Sequence, residues 1–462
     1  MFRFTALSSL LLALSLSGCQ SPLDDSLYTQ WENDQQTAVA QTITQQQQQA
    51  KAMSETLPEP ATLDQLIAYA QKHHPAIQAA SFRIEQAEHG IILAKSLDDP
   101  ILTISPVGNM AQTADGEVTA MASISQRLPI SGRLTAQSEA AKEQVQIASQ
   151  QHRQTQLALT RDVKQAYWNL QLANQTLAVY ESQKQLMHQV HESADASYRA
   201  GRAAQQDLLR LNVEISALDN RIIATQQQRR SAIARINSLL NRPVDAPLTL
   251  ADTEASPVDL QTADTWQKQA INHSPQLQQI HHAIAQARKQ LKLAHLKRIP
   301  DLTVMLNYAA VSDHGTSMAA NGDDQLYAGI GINLPIWQEK LQAGEKQALA
   351  RIRELLSELI AKHNQLQFAI ADMYQRVDAQ QKQDTLYRDT ILPQARQVLD
   401  SSRVQYRSGR GPFADLIDNW QKLLELQLMS HRNHTQLQQD YAQLQFLAAG
   451  KVQPDVNKPN AD

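Results

Sequence analysis

Residues 302–308 read LTVMLNY, and residues 326–334 read LYAGIGINL. In the first stretch Leu302, Val304, Leu306 and Tyr308 fall on one side of an extended chain, with Thr303, Met305 and Asn307 on the other. In the second, Leu326, Ala328, Ile330, Ile332 and Leu334 alternate with Tyr327, Gly329, Gly331 and Asn333. A period of two predicts strands. The polar run between them, with Ser312, Asp313, Asn321, Asp323 and Asp324, predicts the loop of a hairpin. Gly329 and Gly331 on one face predict a crowded or sharply curved surface. A fainter version of the pattern runs through Leu102 and Ile104, then Val118, Ala120, Ala122 and Ile124.

That echo belongs to a duplication of most of the chain. His74-Pro75 returns as Ser274-Pro275, and Asp99-Pro100 as Ile299-Pro300. Leu128-Pro129-Ile130 returns as Leu334-Pro335-Ile336, and Tyr167 and Tyr180 as Tyr374 and Tyr387. Tyr198-Arg199-Ala200-Gly201-Arg202 returns as Tyr406-Arg407-Ser408-Gly409-Arg410. Order is kept while the offset drifts slowly, as small loop insertions would cause. Residues 60–247 and 260–450 therefore read as two copies of one unit, joined by a linker at 248–259. Each copy predicts a leading helix of about 35 residues, from Leu63 to Ser96 or from Thr265 to Lys297, then the hairpin, then two long helices.

The long helices set the fold class. Residues 134–196 contain neither Pro nor Gly. Heptad spacing runs through Val163, Ala166, Leu170, Ala173, Leu177 and Tyr180, and back through Leu208, Leu211, Ile215, Leu218 and Ile222. The second copy keeps Ile370, Met373 and Val377, then Leu416, Leu423 and Leu426. Such a narrow apolar seam predicts helix-on-helix packing rather than a globular core. Composition agrees: 462 residues carry only 14 Gly and 17 Pro. A net charge of −4 argues against nucleic-acid binding by a basic domain. The single Cys excludes an internal disulfide and a cysteine-rich zinc site.

That Cys stands at the end of an address. Residues 1–18 have Arg3 in a short positive region, an apolar run from Leu10 to Leu16, then Ser17-Gly18 before Cys19. The run is too short to span a bilayer. It resembles the lipobox of bacterial lipoproteins, which implies removal of 1–18 and acylation of Cys19. Gln20, rather than Asp, follows the Cys; by the same resemblance this favours sorting to the outer membrane. Residues 19–59 are polar and Gln-rich and read as a tether, and 451–462 as a polar tail.

Four alternating segments cannot close a barrel, and an open sheet edge is not tolerated in lipid. If the strands enter a membrane, several chains must pool them; three copies would supply twelve strands. The lipobox, the duplicated unit, the Tyr-Arg-x-Gly-Arg tips and the Ile391-Leu392-Pro393 segment together resemble the TolC family of outer-membrane efflux proteins. The resemblance implies a mainly α fold, homotrimeric, with a 12-stranded transmembrane β-barrel above a long periplasmic α-helical barrel. It further implies the exit duct of a tripartite pump in the outer membrane of a Gram-negative bacterium. The partners would be a periplasmic adaptor and an inner-membrane transporter of RND type.

Two sites follow. The tips, Tyr198, Arg199, Gly201 and Arg202 with Tyr406, Arg407, Gly409 and Arg410, lie between the long helices; Gly there permits the turn. The resemblance makes them the adaptor-docking residues. Beyond the second tip, Asp415 and Asp418 share a helix face, in a segment similar to the one lining the closed periplasmic mouth in the family. Asp207 and Arg210 occupy the matching positions of the first copy. Three chains would ring these acids about one axis and attract cations, and Arg210 could bridge to a neighbouring chain's Asp418 as a latch. Helix-dipole preference alone also explains acids in a first turn.

Other signals are weaker. His73-His74 and His281-His282 read as helix-surface positions rather than metal ligands, and no cofactor is expected. Trp168, Trp337 and Trp420 read as packing or interface residues. Ser125 to Pro129 with Gly132-Arg133 resembles the heavy-metal branch of the family. No phosphate loop, nucleophile elbow or helix-borne metal motif suggests an enzyme. The competing reading is a coiled-coil scaffold tethered by Cys19 without a pore, which leaves the paired strands unexplained.

Overall fold

The computed structural model describes residues 57–107, 111–201, 203–251, 258–316, 318 and 320–450, together with Asn33. Cys19, Arg202, nearly all of the tether and the tail lie outside them. The first half contains α1 (Leu63–His73), α2 (Pro75–Lys95), β1 (Ile101–Pro106), β2 (Gln112–Thr113), β3 (Gly116–Leu128), α3 (Arg133–Arg199) and α4 (Gln205–Leu239). The second contains α5 (Ala263–His273), α6 (Pro275–Leu296), β4 (Leu302–Ser312), β5 (Gln325–Ile332), α7 (Gln338–Leu386), a π turn (Tyr387–Ile391), α8 (Leu392–Arg407) and α9 (Phe413–Leu447).

The expected leading helix is in fact two helices in each half. The residue before a proline is pushed out of the helical region by the ring, and His74 and Ser274 accordingly sit at ψ 125° and 117°. Each then caps the next helix: His74 Nδ1 accepts from the Ala76 N–H at 3.1 Å, and Ser274 Oγ from the Leu277 N–H at 3.5 Å. The proline falls at the first helical position, where no N–H is missed. Thr62 and Gln65 form a reciprocal capping box at the start of α1.

The strand expectation holds, and the four long strands form one antiparallel sheet in the order β1-β3-β4-β5; the two-residue β2, which pairs with β3, was not foreseen. Register assigns every row to a face. One face carries Leu102, Ile124, Leu306 and Ala328 in one row, and Ile104, Ala122, Tyr308 and Leu326 in the next. The other carries Thr103, Ser123, Asn307 and Tyr327, then Ile101, Ser125, Met305 and Gly329. So one face is apolar and the other mixes small and polar groups. Met305 Cε lies 3.7 and 3.4 Å from where a Cβ would stand on Gly329 and Gly331, so the two glycines leave room for this side chain.

Below the sheet, α3 runs unbroken for 67 residues, about 100 Å of helix. Its partner run in the second half is interrupted. Pro393 lacks an N–H and its ring crowds the preceding turn, and just before it the Leu392 N–H reaches back five residues to the Tyr387 carbonyl. The helix absorbs the proline as a π turn instead of breaking. Two apolar clusters join the middle of each long run to the end of its returning helix, Leu66, Val163, Leu170 and Ile236 in the first half, Trp266, Ile370, Val377 and Leu444 in the second. A third joins the halves near the tips through Met187, Leu211, Leu218, Leu416, Ile417 and Trp420.

Trp168 and Trp420 pack as expected, while Trp337 is exposed. Trp420 is fully buried and its indole N–H donates to Gln183 Oε1 at 2.8 Å. Replacing Trp420 with Phe should strand that oxygen and cost about 1–3 kcal/mol beyond the lost packing. Denaturant unfolding followed by far-UV circular dichroism would measure it. Adding Gln183→Leu should recover part of the loss, and no recovery would reject this account.

Candidate functional site

The tips form where each long helix must reverse. Gly201 and Gly409 adopt φ of +70° and +71°, the left-handed conformation that a Cβ would oppose. Their N–H groups donate to the Tyr198 and Tyr406 carbonyls at 2.8 and 3.0 Å. The two tips then differ. Tyr198 is exposed, and Arg199 pairs with Asp195 at 2.8 Å. Tyr406 turns inward against Phe413, with ring centres 5.5 Å apart, and its buried hydroxyl has no partner among the described residues. Burial, helped by the charge on Asp207, raises the Tyr406 pKa. Arg407, Gly409 and Arg410 are exposed.

Next to this tip, Phe413, Leu416, Ile417 and Trp420 bury one face of α9 and leave Asp415 and Asp418 in solvent on the other. Asp207 stands half-buried at the start of α4. Arg210 Nη2 lies 3.4 Å from Asp418 Oδ1 of its own chain, so the pair expected between chains is seen here within one. Both side chains are well exposed, and such a pair contributes about 0–1 kcal/mol. Gln421 extends the α4–α9 contact by donating to Glu214 at 2.9 Å.

A second charged cluster sits where sheet meets helices, and its central residue belongs to no repeat or motif. Asp301 is 2% exposed; its Oδ2 accepts from Arg127 Nε and Arg133 Nη2, each at 2.8 Å. Its backbone N–H donates to Asn333. Arg127 ends β3, Arg133 begins α3, and Asp301 and Asn333 flank the second hairpin, so the cluster ties the two halves together. It also resolves a local conflict. Arg133 is the first residue of α3, where the helix dipole disfavours a cation, and the first turn holds no acid. Asp301 supplies the missing negative charge from the other half.

Among the described residues no group of three His, Cys, Asp or Glu could hold a metal. His282 instead binds Glu143 at 2.9 Å, and His73 packs on Tyr69. Among the described residues no helix is long and apolar enough to cross a membrane.

A sheet with one apolar and one mixed face, continued by a 67-residue helix in the first half and a run of similar length in the second, each with a 35-residue returning helix, defines a mainly helical fold of the outer-membrane channel class. Residues 66–242 and 266–450 both match the family model for outer membrane efflux proteins. The chain belongs to that family, the TolC-type channels, which is not a catalytic one. It is 24% identical over 243 residues to the toluene efflux pump outer membrane protein TtgC of Pseudomonas putida, covering 50% of this chain and 48% of that one. It is also 24% identical over 341 residues to the probable efflux pump outer membrane protein SepC of Pseudomonas putida, covering 70% and 65%. The chain thus spans between about half and just under two thirds of the length of these relatives. Among solved structures, VceC from Vibrio cholerae superimposes with a TM-score of 0.69 at 19% identity, covering 84% of this chain and 96% of that one. CusC gives 0.71 at 18% identity, covering 84% and 92%.

Burial opposes the charge on Asp301, but the two guanidinium groups outweigh it and hold its carboxyl below the usual range. A depressed folded pKa adds stability above the unfolded value, about 3.9, and that stability is lost as pH falls through the folded pKa. Thermal unfolding of Asp301→Asn should therefore start lower at pH 7 and lose less than wild type on acidification below about pH 4. Parallel pH profiles would exclude this role.

Proposed function

We propose that the protein is the exit duct of a tripartite efflux pump, a homotrimer held in outer-membrane lipid by its sheet and by an acylated Cys19. The observation that carries this reading is the division of the sheet, row by row, into an apolar face fit for lipid and a small, polar face fit for water. β1 and β5 end the sheet with unpaired backbone. In lipid such edges must meet partners, and another copy offers the matching edge.

The helices support the same assembly. Within the chain, α6 lies wedged between α3 and α7, whereas α2 packs on α3 and leaves its other flank open. That flank exposes Phe82, Ile92 and Leu93, and α7 exposes Leu349, Leu356, Ile360 and Phe368. Placing a second copy's α2 against α7 repeats the α6–α3 relation and buries both patches. This head-to-tail step closes into a ring. At the far end Asp415 and Asp418 would face the axis as a cation-attracting mouth, with Asp207 and Arg210 beside them. Tyr198, Arg199 and Arg407 at the exposed tips would meet the periplasmic adaptor. An inner-membrane transporter of RND type would supply the energy. The cargo would be drugs or metal ions, selected upstream of the duct.

Reconstituted protein should conduct ions across a planar bilayer. Asp415→Ala with Asp418→Ala should raise its resting conductance several-fold and weaken block by multivalent cations; unchanged conductance and block would reject the gate. A protein that folds but never conducts would favour the poreless scaffold.

Phe82→Asp or Phe368→Asp should abolish the trimer band of unheated samples in detergent gels while helical content stays at the wild-type level. A persistent trimer would place the contact elsewhere.

A further inference from the structure

We propose that the cavity enclosed by α1, α3, α5 and the end of α9 is a binding site for a carboxylated sugar unit. The cavity lies at the joint between the two halves of one chain and measures about 400 Å³, a volume typical of small-molecule sites. It stands apart from the mouth, the tips and the wet face of the sheet, and the channel reading is not needed for it.

Lys164 is the main argument. Its ammonium donates to Gln445 Oε1 at 2.7 Å, and among the described residues no carboxylate lies within ion-pairing distance of it. Burial pulls its pKa down, and Asp64 on the same wall only partly offsets this. A largely buried cation with a neutral partner is costly, and a bound anion would relieve it. The neighbouring Arg161 does not share the need, because it pairs with Asp162 at 2.7 Å and lies over the Phe446 ring at 4.5 Å. Among the described residues Lys164 is the one unpaired cation of the lining, and its single point charge suits the single charge of a carboxylate. A phosphate dianion would meet only one available cation and one repelling acid.

The rest of the lining asks for hydroxyl groups. Gln71, Gln261, Gln269 and Gln445 all face the cavity. Gln71 donates one amide N–H to Thr160 at 3.0 Å, and its carbonyl oxygen has no partner among the described residues. Gln261 and Gln269 carry amides with no partner among the described residues. A primary amide offers a donor and an acceptor side by side, which matches adjacent hydroxyls on a sugar ring. An acyl chain or an unsubstituted aromatic acid would leave the half-buried Gln71 and Gln269 amides without a ligand partner, at a cost for each. Trp266 and Ile67 supply an apolar wall for the ring's C–H face.

Isothermal titration of the full-length protein in detergent tests the site. The probes are D-glucuronate and N-acetylmuramate, with glucose and acetate representing the two halves of the chemistry. At least one acidic sugar should bind ten-fold or more tightly than glucose and acetate. Lys164→Met should remove that advantage and leave glucose unchanged. Gln269→Ala, remote from the charge, should weaken the acidic sugar and glucose alike and leave acetate unchanged. Far-UV circular dichroism establishes that each variant is folded. Acidic sugars that bind no better than acetate, or that ignore both substitutions, overturn the proposal.

Discussion

An unpaired backbone N–H or carbonyl in hydrocarbon costs several kcal/mol, and in the proposed assembly this penalty governs the architecture. The chain ends its sheet on two open edges, β1 and β5. It covers neither face, since Leu102, Ile104, Leu306 and Ile330 stay exposed on one side and Ile101 and Tyr327 on the other. A lone soluble subunit would be a poor solution to this sequence. The helical part poses the same problem in milder form, with apolar flanks left open on α2 and α7. Under the proposed assembly both demands would be met by one operation, the addition of further copies in the sense in which the second half already follows the first.

Much of this was legible because its physics is periodic. Alternation over Leu302 to Tyr308 fixes a face, and heptads over Val163 to Tyr180 fix a seam. What escaped was aperiodic. A two-residue strand such as β2 has no period to detect. The breaks at His74 and Ser274 were visible as X-Pro pairs, yet the apolar pattern runs smoothly across them and invited one long helix. The π turn before Pro393 depends on how a helix absorbs a missing N–H, which local sequence leaves undetermined. Asp301 is a single acid whose meaning comes from Arg127 and Arg133, some 170 residues away.

The two halves share a plan and have diverged where it matters. α3 is continuous, while its counterpart carries the π turn. Tyr198 faces solvent, whereas Tyr406 is folded against Phe413. Asp207 and Arg210 stand where the second half has two acids. Duplication explains the common framework; these departures give the lower end two chemically distinct hairpins per chain, which a partner could tell apart.

Two charged clusters at opposite ends of the chain differ in strength. At the junction of sheet and helices, Asp301 is buried between two guanidinium groups. Breaking such a buried cluster is strongly unfavourable, because it leaves charge without water or partner. At the proposed mouth, Arg210 and Asp418 meet in solvent, where a pair holds weakly and salt screens it. A duct of the proposed kind, anchored in lipid while its far end answers a partner, would need this order. Were the strong cluster at the mouth, no adaptor contact of ordinary size could open it. Were the weak pair at the junction, the two halves of the sheet could slide before the mouth moved.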